Sequence, residues 1–360
     1  MIVDCYTDFQ PLEEIWLGDT YPVDFYDNLP NELREHFHKL TEDTQKTLTT
    51  VQKTLEDFGV VVRRPNFDSD SSFYRDDNDR LIKPPTAPRD FNMCLGNKMY
   101  NVNYGFKKNP FQNTIDEYIA KGEDVHFVDR DKPYAWVGYG EVVRVGKDLY
   151  YDVWTEKNIA ETMNRPRRLK TCLQGFRDMS QDYRRHLLHF GGHADGVFCP
   201  VKEGVIISTH YGEGDIYSQT FPGWQQFWLK DVTEKRREKF LKSKVSVDFN
   251  KWWIPDNRYH SPVFNEYVHD AVKHWTGDST ETIFDVNMLV VNEKNAIVFC
   301  EDDAIFDIFK KIDVNPIVID HPTRGFWDAG FHCMTSDIRR TGGLKDYFPD
   351  RPIEFEKEYT

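Results

Sequence analysis

Glu141-Val142-Val143-Arg144-Val145-Gly146-Lys147-Asp148-Leu149-Tyr150-Tyr151-Asp152-Val153 is two apolar runs joined at the tight polar turn Val145-Gly146-Lys147-Asp148. β-Branched and aromatic residues either side of a short glycine-containing turn predict a β-hairpin. The same form recurs at Phe91 to Val102 around Leu95-Gly96-Asn97-Lys98, and at Gly196 to Ser208 around Val201-Lys202-Glu203-Gly204. It recurs again at Asn287 to Cys300, around Val291-Asn292-Glu293-Lys294. The first three hairpins in chain order repeat about every 50 residues. A weaker fifth unit joins Leu12 to Gly18 with a continuation near Val60 to Arg63. Hairpins separated by helical stretches predict an α/β chain built as a circular array of β/α units, like a propeller.

The clearest helix is expected over Asn31 to Phe58, where Leu33, Phe37, Leu40, Leu48, Val51, Leu55 and Phe58 fall mostly at helical spacing ahead of Gly59. A shorter one is expected over Asp303 to Lys311, after the last hairpin. Pro65 to Pro88, rich in Asp, Ser and Pro, reads as a loop. Tyr211 to Thr282 reads as an insertion, with Trp224, Trp228, Trp252, Trp253 and a basic run Lys235 to Lys244 that suits a solvated helix face. With no linker between units, residues 1–360 are expected to form one domain.

Composition narrows the function. Hydrophobic residues make up 39% and charged residues 29%, which is globular rather than disordered. A net charge of −14 argues against a general nucleic-acid or anionic-membrane binder, both of which need a basic surface. No apolar run approaches the roughly 20 residues that span a bilayer. Met1-Ile2-Val3-Asp4-Cys5 shows neither the basic nor the apolar region of a secretory leader, and the six cysteines at 5, 94, 172, 199, 300 and 333 form no C-x-x-C. A cytoplasmic protein in a reducing compartment is expected. The twelve histidines show no H-x-x-x-H or His/Cys spacing typical of zinc, and there is no P-loop or G-x-G-x-x-G, so no metal and no cofactor is expected.

Two clusters carry chemistry. Gly330-Phe331-His332-Cys333-Met334-Thr335-Ser336-Asp337-Ile338-Arg339-Arg340 offers a thiol beside a histidine and paired arginines, and a cysteine acts as a nucleophile only as thiolate. Gly191-Gly192-His193-Ala194-Asp195-Gly196 offers a distant histidine of the kind that serves a lone cysteine as base. On an extended strand His193 and Asp195 share a face; equally, they could be a strand-end histidine and a turn residue. His332, adjacent to Cys333, would point to the opposite face of an extended segment and reads as structural. Asn287 reads either as a residue that lines a site or as one that shapes its hairpin.

Taken with Pro88-Arg89-Asp90, Val143 to Asp148, His193-Ala194-Asp195 and Asn287-Met288-Leu289, the block Gly330 to Arg340 resembles the amidinotransferase family of the guanidino-group-modifying enzymes. That family includes glycine amidinotransferase and inosamine-phosphate amidinotransferase. The resemblance implies a five-bladed β/α propeller of the pentein kind, with pseudo-fivefold repeats and the active site in its central channel. It implies Cys333 as nucleophile, His193 as general acid/base, and Asp90 and Asp195 as the carboxylates that grip a guanidinium. L-Arginine would donate its amidino group to an amine through an amidino-cysteine, with ornithine released. The partners implied are small molecules, and the assembly a homodimer. Two alternatives stay open on the same scaffold: a guanidino-compound hydrolase, or a binding homologue with a weakened site. The chain departs from the family pattern at Gly138, where an acidic partner for the histidine is expected, leaving Glu141 as the candidate for that role. Gly212 stands where a carboxylate-binding arginine is expected, and Gly192 replaces a bulkier residue, which suggests a roomier acceptor pocket.

Overall fold

The computed structural model describes residues 1–68, 70, 74–76, 79–102, 105–128, 137–154, 157, 160–161, 166–190, 193–209, 216–229, 261–276, 286–299 and 303–359. Within these, sixteen strands form five separate sheets. Four sheets follow one connectivity: an antiparallel hairpin, a helix, then a third strand parallel to the second. Asn92–Leu95 and Lys98–Val102 are followed by helix Gln112–Ala120 and strand Asp124–Val128. Val142–Val145 and Asp148–Asp152 are followed by helix Pro166–Met179 and strand Arg184–Leu188, with Glu356–Glu358 added at the edge. Phe198–Lys202 and Val205–Ser208 are followed by helix Ile216–Thr220 and strand Gln225–Trp228. Leu289–Asn292 and Asn295–Val298 are followed by helix Asp303–Ile312 and strand Asn315–Val318.

The fifth sheet joins the two ends of the chain. Leu12–Leu17 pairs in parallel with Val61–Arg63 after the long helix, as the N-terminal continuation predicts. Its hairpin partner is Thr335–Arg340, antiparallel, with Leu12 opposite Arg340 and Leu17 opposite Thr335. The sequence signal for that strand was masked by its polarity, because Thr335, Ser336, Asp337 and Arg340 are buried in hydrogen bonds rather than in apolar contacts.

The long helix runs Asn31–Asp57 and buries Leu33, Phe37, Leu40, Leu48, Val51 and Leu55 against the core containing Trp275 and Trp327. Phe58 falls just past its end and is 42% exposed, contrary to the helical stripe that included it. Three threonines extend the buried face; Thr44 Oγ1 returns a hydrogen bond to the Leu40 carbonyl at 2.7 Å and accepts one from Trp327 Nε1 at 2.9 Å. Burying a hydroxyl on both sides in this way avoids the cost of an unmet polar group. Within 211–282, strand Gln225–Trp228 completes a sheet, and helix Pro262–Ala271 packs against the long helix. The basic run 235–244, Trp252, Trp253, Gly192 and Gly212 lie outside the described residues. No helix among the described residues is long and apolar enough to cross a membrane.

Beneath the hairpins lies a buried ionic cluster. Arg144 donates from Nε to Asp8 Oδ1 at 3.0 Å and from Nη2 to Asp337 Oδ2 at 2.8 Å. Arg89 and Arg340 add bonds to Asp337 at 3.2 and 3.1 Å. Burial pushes the Asp8 and Asp337 carboxyls up, but these guanidiniums overcome it and hold both below the ordinary carboxylate range.

Candidate active site

The candidate residues sit just ahead of the first strands of five hairpins, with His193 and Asp195 sharing one. Asp90 ends the 3-10 turn Pro88–Asp90 before Asn92–Leu95, and Glu141 ends Tyr139–Glu141 before Val142–Val145. His193 caps the short helix Ala194–Val197, which holds Asp195 and leads into Phe198–Lys202. Asn287 precedes Leu289–Asn292, and Cys333 lies in the turn before Thr335–Arg340. Five repeats therefore deliver their side chains from equivalent places, although the residues are up to 243 positions apart by number, Asp90 to Cys333.

Sulfur is the centre of the group. Asn287 Nδ2 donates to Cys333 Sγ at 2.8 Å, and the Cys333 backbone N–H donates to Asn287 Oδ1 at 3.1 Å. The amide thus holds both ends of one residue, and places Asn287 beside the thiol. Gly330 makes the contact possible: a Cβ there would sit 2.5 Å from Asn287 Oδ1. Cys333 Sγ donates to Asp195 Oδ2 at 3.3 Å, and one donor atom each of His193, Asp195 and Cys333 lies within 4.8 Å of the others.

His332 does not face away. The turn over residues 331–334 is not extended, so alternation does not apply, and His332 Nδ1 meets the same Asp195 Oδ2 at 2.7 Å. The Arg89 guanidinium holds the His332 carbonyl at 2.9 Å from the other side. His332 and Arg89 are the residues that sequence reasoning left without a role; their only signal was their place inside the quoted blocks. Burial pushes the Asp195 carboxyl up, but the hydrogen bond and charge of His332, with His193 and Arg89, bring it below its ordinary value. Asp195 is therefore held as a carboxylate, and its buried Oδ1 has no hydrogen-bond partner among the described residues. An oxygen so placed suits a guanidinium N–H. Asp90 goes the other way: burial raises its carboxyl, and Asp195 adds to this, while His193 and Lys83 partly offset it.

Glu141 stands beside His193, with Oε1 4.0 Å from Nε2. That is ion-pair range rather than a hydrogen bond. The space it fills exists because residue 138 is glycine: a Cβ on Gly138 would lie 2.6 Å from Glu141 Cγ. The departure at Gly138 and the placement of Glu141 are therefore one feature. Gly138 has an ordinary extended backbone, φ −71° and ψ 113°, so alanine fits its conformation but not its surroundings. Gly138→Ala is expected to displace Glu141 and lower kcat by about tenfold with KM within about threefold, in steady-state kinetics. A KM change that matches the loss in kcat/KM would reject this.

Metal-type donors also gather at Asp8, His332 and Asp337, within 4.8 Å of one another. Three guanidiniums already oppose those carboxylates, so a divalent cation would meet repulsion there.

No protein-family model matches the chain. Glycine amidinotransferase of Xenopus laevis is 21% identical over 375 residues, covering 95% of this chain and 76% of that protein. Inosamine-phosphate amidinotransferase 1 of Streptomyces glaucescens is 21% identical over 400 residues, covering 96% and 99%. The chain is similar to amidinotransferases along almost its whole length. These relatives are transferases by name, which is consistent with a transferase here. Among solved structures, an amidinotransferase of the saxitoxin biosynthetic pathway from Microseira wollei superposes with a TM-score of 0.67 at 17% identity, covering 97% of this chain and all of that one. The shared fold is mixed α/β.

Proposed function

We propose that this chain moves the amidino group of L-arginine to an acceptor amine through a covalent amidino-cysteine on Cys333, and releases ornithine. The observation that supports it most is the gathering of Cys333, Asn287 and the pair His193 and Asp195 around one point, from three different units of the fold. The substrate guanidinium would lie between Asp195 and Asp90, planar and doubly hydrogen-bonded, with its carbon turned to sulfur. The Cys333 thiolate forms the C–S bond as the C–N bond to ornithine breaks, and His193 gives the departing amine its proton. In the second half the acceptor amine attacks the same carbon, His193 takes its proton, and the C–S bond breaks to return the thiolate. Glu141 steadies the imidazolium that gives up the first proton and forms again on taking the second. Asn287 and the His332–Asp195 bond fix sulfur and carboxylate relative to each other. Kinetics of this form are ping-pong.

The reading carries further proposals: residues 1–360 as a single catalytic domain, the five sheets closed as blades of a propeller around the site, a cytoplasmic location and a homodimer. The join of Leu12–Leu17 with Thr335–Arg340 supports the closure, since it links the first and last units. Light scattering of the purified chain tests the dimer.

Mass spectrometry of the protein after brief incubation with L-arginine, without acceptor, tests the main reading. One amidino group added to the Cys333 peptide, with one ornithine released per site, is expected. Continuous citrulline without an adduct would replace the reading with a hydrolase.

A further inference from the structure

The cleft that opens at Asp90 holds a cation at its edge. Lys83 and Asp90 line it together with Phe91, Phe106 and two prolines. Lys83 Nζ donates to the Trp327 carbonyl at 3.0 Å. An ammonium has three donors, so this bond pins the head group and leaves two N–H groups to use. Among the described residues no carboxylate forms an ion pair with Lys83, and no second hydrogen-bond partner faces it. Asp90 feels both His193, at the reacting end, and Lys83. The cleft thus presents a carboxylate, an apolar wall and a half-buried ammonium. That arrangement suits a ligand with a cationic end, an aliphatic stem and an anionic end.

We propose that Lys83 binds the carboxylate of the amino-acid donor, and so selects an amino acid over the same guanidine without its acid group. This rests on the amidinotransferase reading: the guanidinium goes to Asp90 and Asp195, the stem lies along Phe91 and Phe106, and the carboxylate reaches Lys83. A partly buried ammonium whose existing partner is a neutral carbonyl gains most from an anion there, because water no longer screens the pair fully. Lys83 is a specificity residue and takes no part in the bond changes.

The experiment follows ornithine release in a single turnover on Cys333 in the full-length protein, with L-arginine as donor and L-argininamide, whose own leaving group is ornithinamide, as competitor. Argininamide keeps the guanidinium and the α-amine but replaces the carboxylate with a neutral amide. In wild type the half-saturating L-arginine concentration should lie well below the argininamide inhibition constant. Lys83→Met should raise the arginine value by about 10- to 100-fold, move the argininamide constant by less than about threefold, and leave the limiting rate within about threefold. Lys83→Arg should restore most of the arginine affinity. A Lys83→Met variant that weakens both ligands equally would show a structural role and overturn the inference, as would one that weakens neither; in both cases the wild-type adduct would leave the amidinotransferase reading standing. A wild type that forms no adduct, and shows no arginine binding, overturns the reading and the inference together.

Discussion

Cys333→Ser is expected to lower kcat/KM by roughly 10³- to 10⁶-fold, while L-arginine binding stays within a few-fold of wild type. Serine keeps the Cβ and an atom that can accept from Asn287 Nδ2 and donate to Asp195 Oδ2, as the sulfur does. What it lacks is an anion accessible near neutral pH, since a hydroxyl holds its proton far more tightly than a thiol. The guanidinium would still find Asp90 and Asp195, so binding and turnover separate. Titration calorimetry beside steady-state kinetics measures both. Retention of more than a tenth of wild-type turnover would mean that Cys333 is not the nucleophile. The buried cysteines at 5, 94 and 199 offer no rival, because burial pushes each of their thiols up, Cys5 to about 12.

Arg144→Met is expected to cost the largest amount of stability, about 3–5 kcal/mol in chemical denaturation. Arg144 is fully buried and bridges Asp8 to Asp337, with a further bond from Nη1 to the Cys94 carbonyl at 2.8 Å. Methionine fills part of the volume but leaves Asp8 with Arg89 Nη1 at 3.8 Å and His332 Nε2 at 3.9 Å as its nearest basic side chains. The pH dependence identifies the cause. In wild type the Asp8 and Asp337 carboxyls lie below their unfolded value, so their stabilisation is present above about pH 4 and is lost as the pH falls through the folded values. In the variant, Asp8 is a buried carboxylate short of partners, and protonation relieves it. The gap between the two proteins should therefore narrow from pH 7 towards pH 4. A gap that is constant with pH would point to lost packing instead of unpaired charge.

The hairpins were legible because a strand–turn–strand unit is written locally: Val142 to Asp152 contains both runs and the turn between them. Four of the five sheets follow from such segments. The long helix was legible for the same reason, its apolar stripe recurring at the helical period over seven turns, with an error only at Phe58 where the stripe outlasts the helix. The strand Thr335–Arg340 was not legible as a strand, because its burial is paid in ion pairs and hydroxyl bonds whose partners lie more than 240 residues away, such as Asn92 and Arg89.

The site divides along the same line. Sequence and resemblance named Cys333, His193, Asp195, Asp90, Asn287 and Glu141, since each lies in a block whose spelling carries it. The structure decided how they meet. His332 turns inward because Phe331 to Met334 form a turn, and alternation along a strand has no force there. Glu141 reaches towards His193 because Gly138 leaves it room, a relation of volumes in three dimensions that no spacing rule contains. By itself the sequence determined the repeating unit and spelled the blocks whose resemblance implies the proposed chemistry, because periodicity and motif spelling are properties of neighbours along the chain. Only the tertiary structure decided which carboxylate faces which imidazole and which cation edges the cleft, because those contacts join separate repeats and depend on the shapes that fill the space between them.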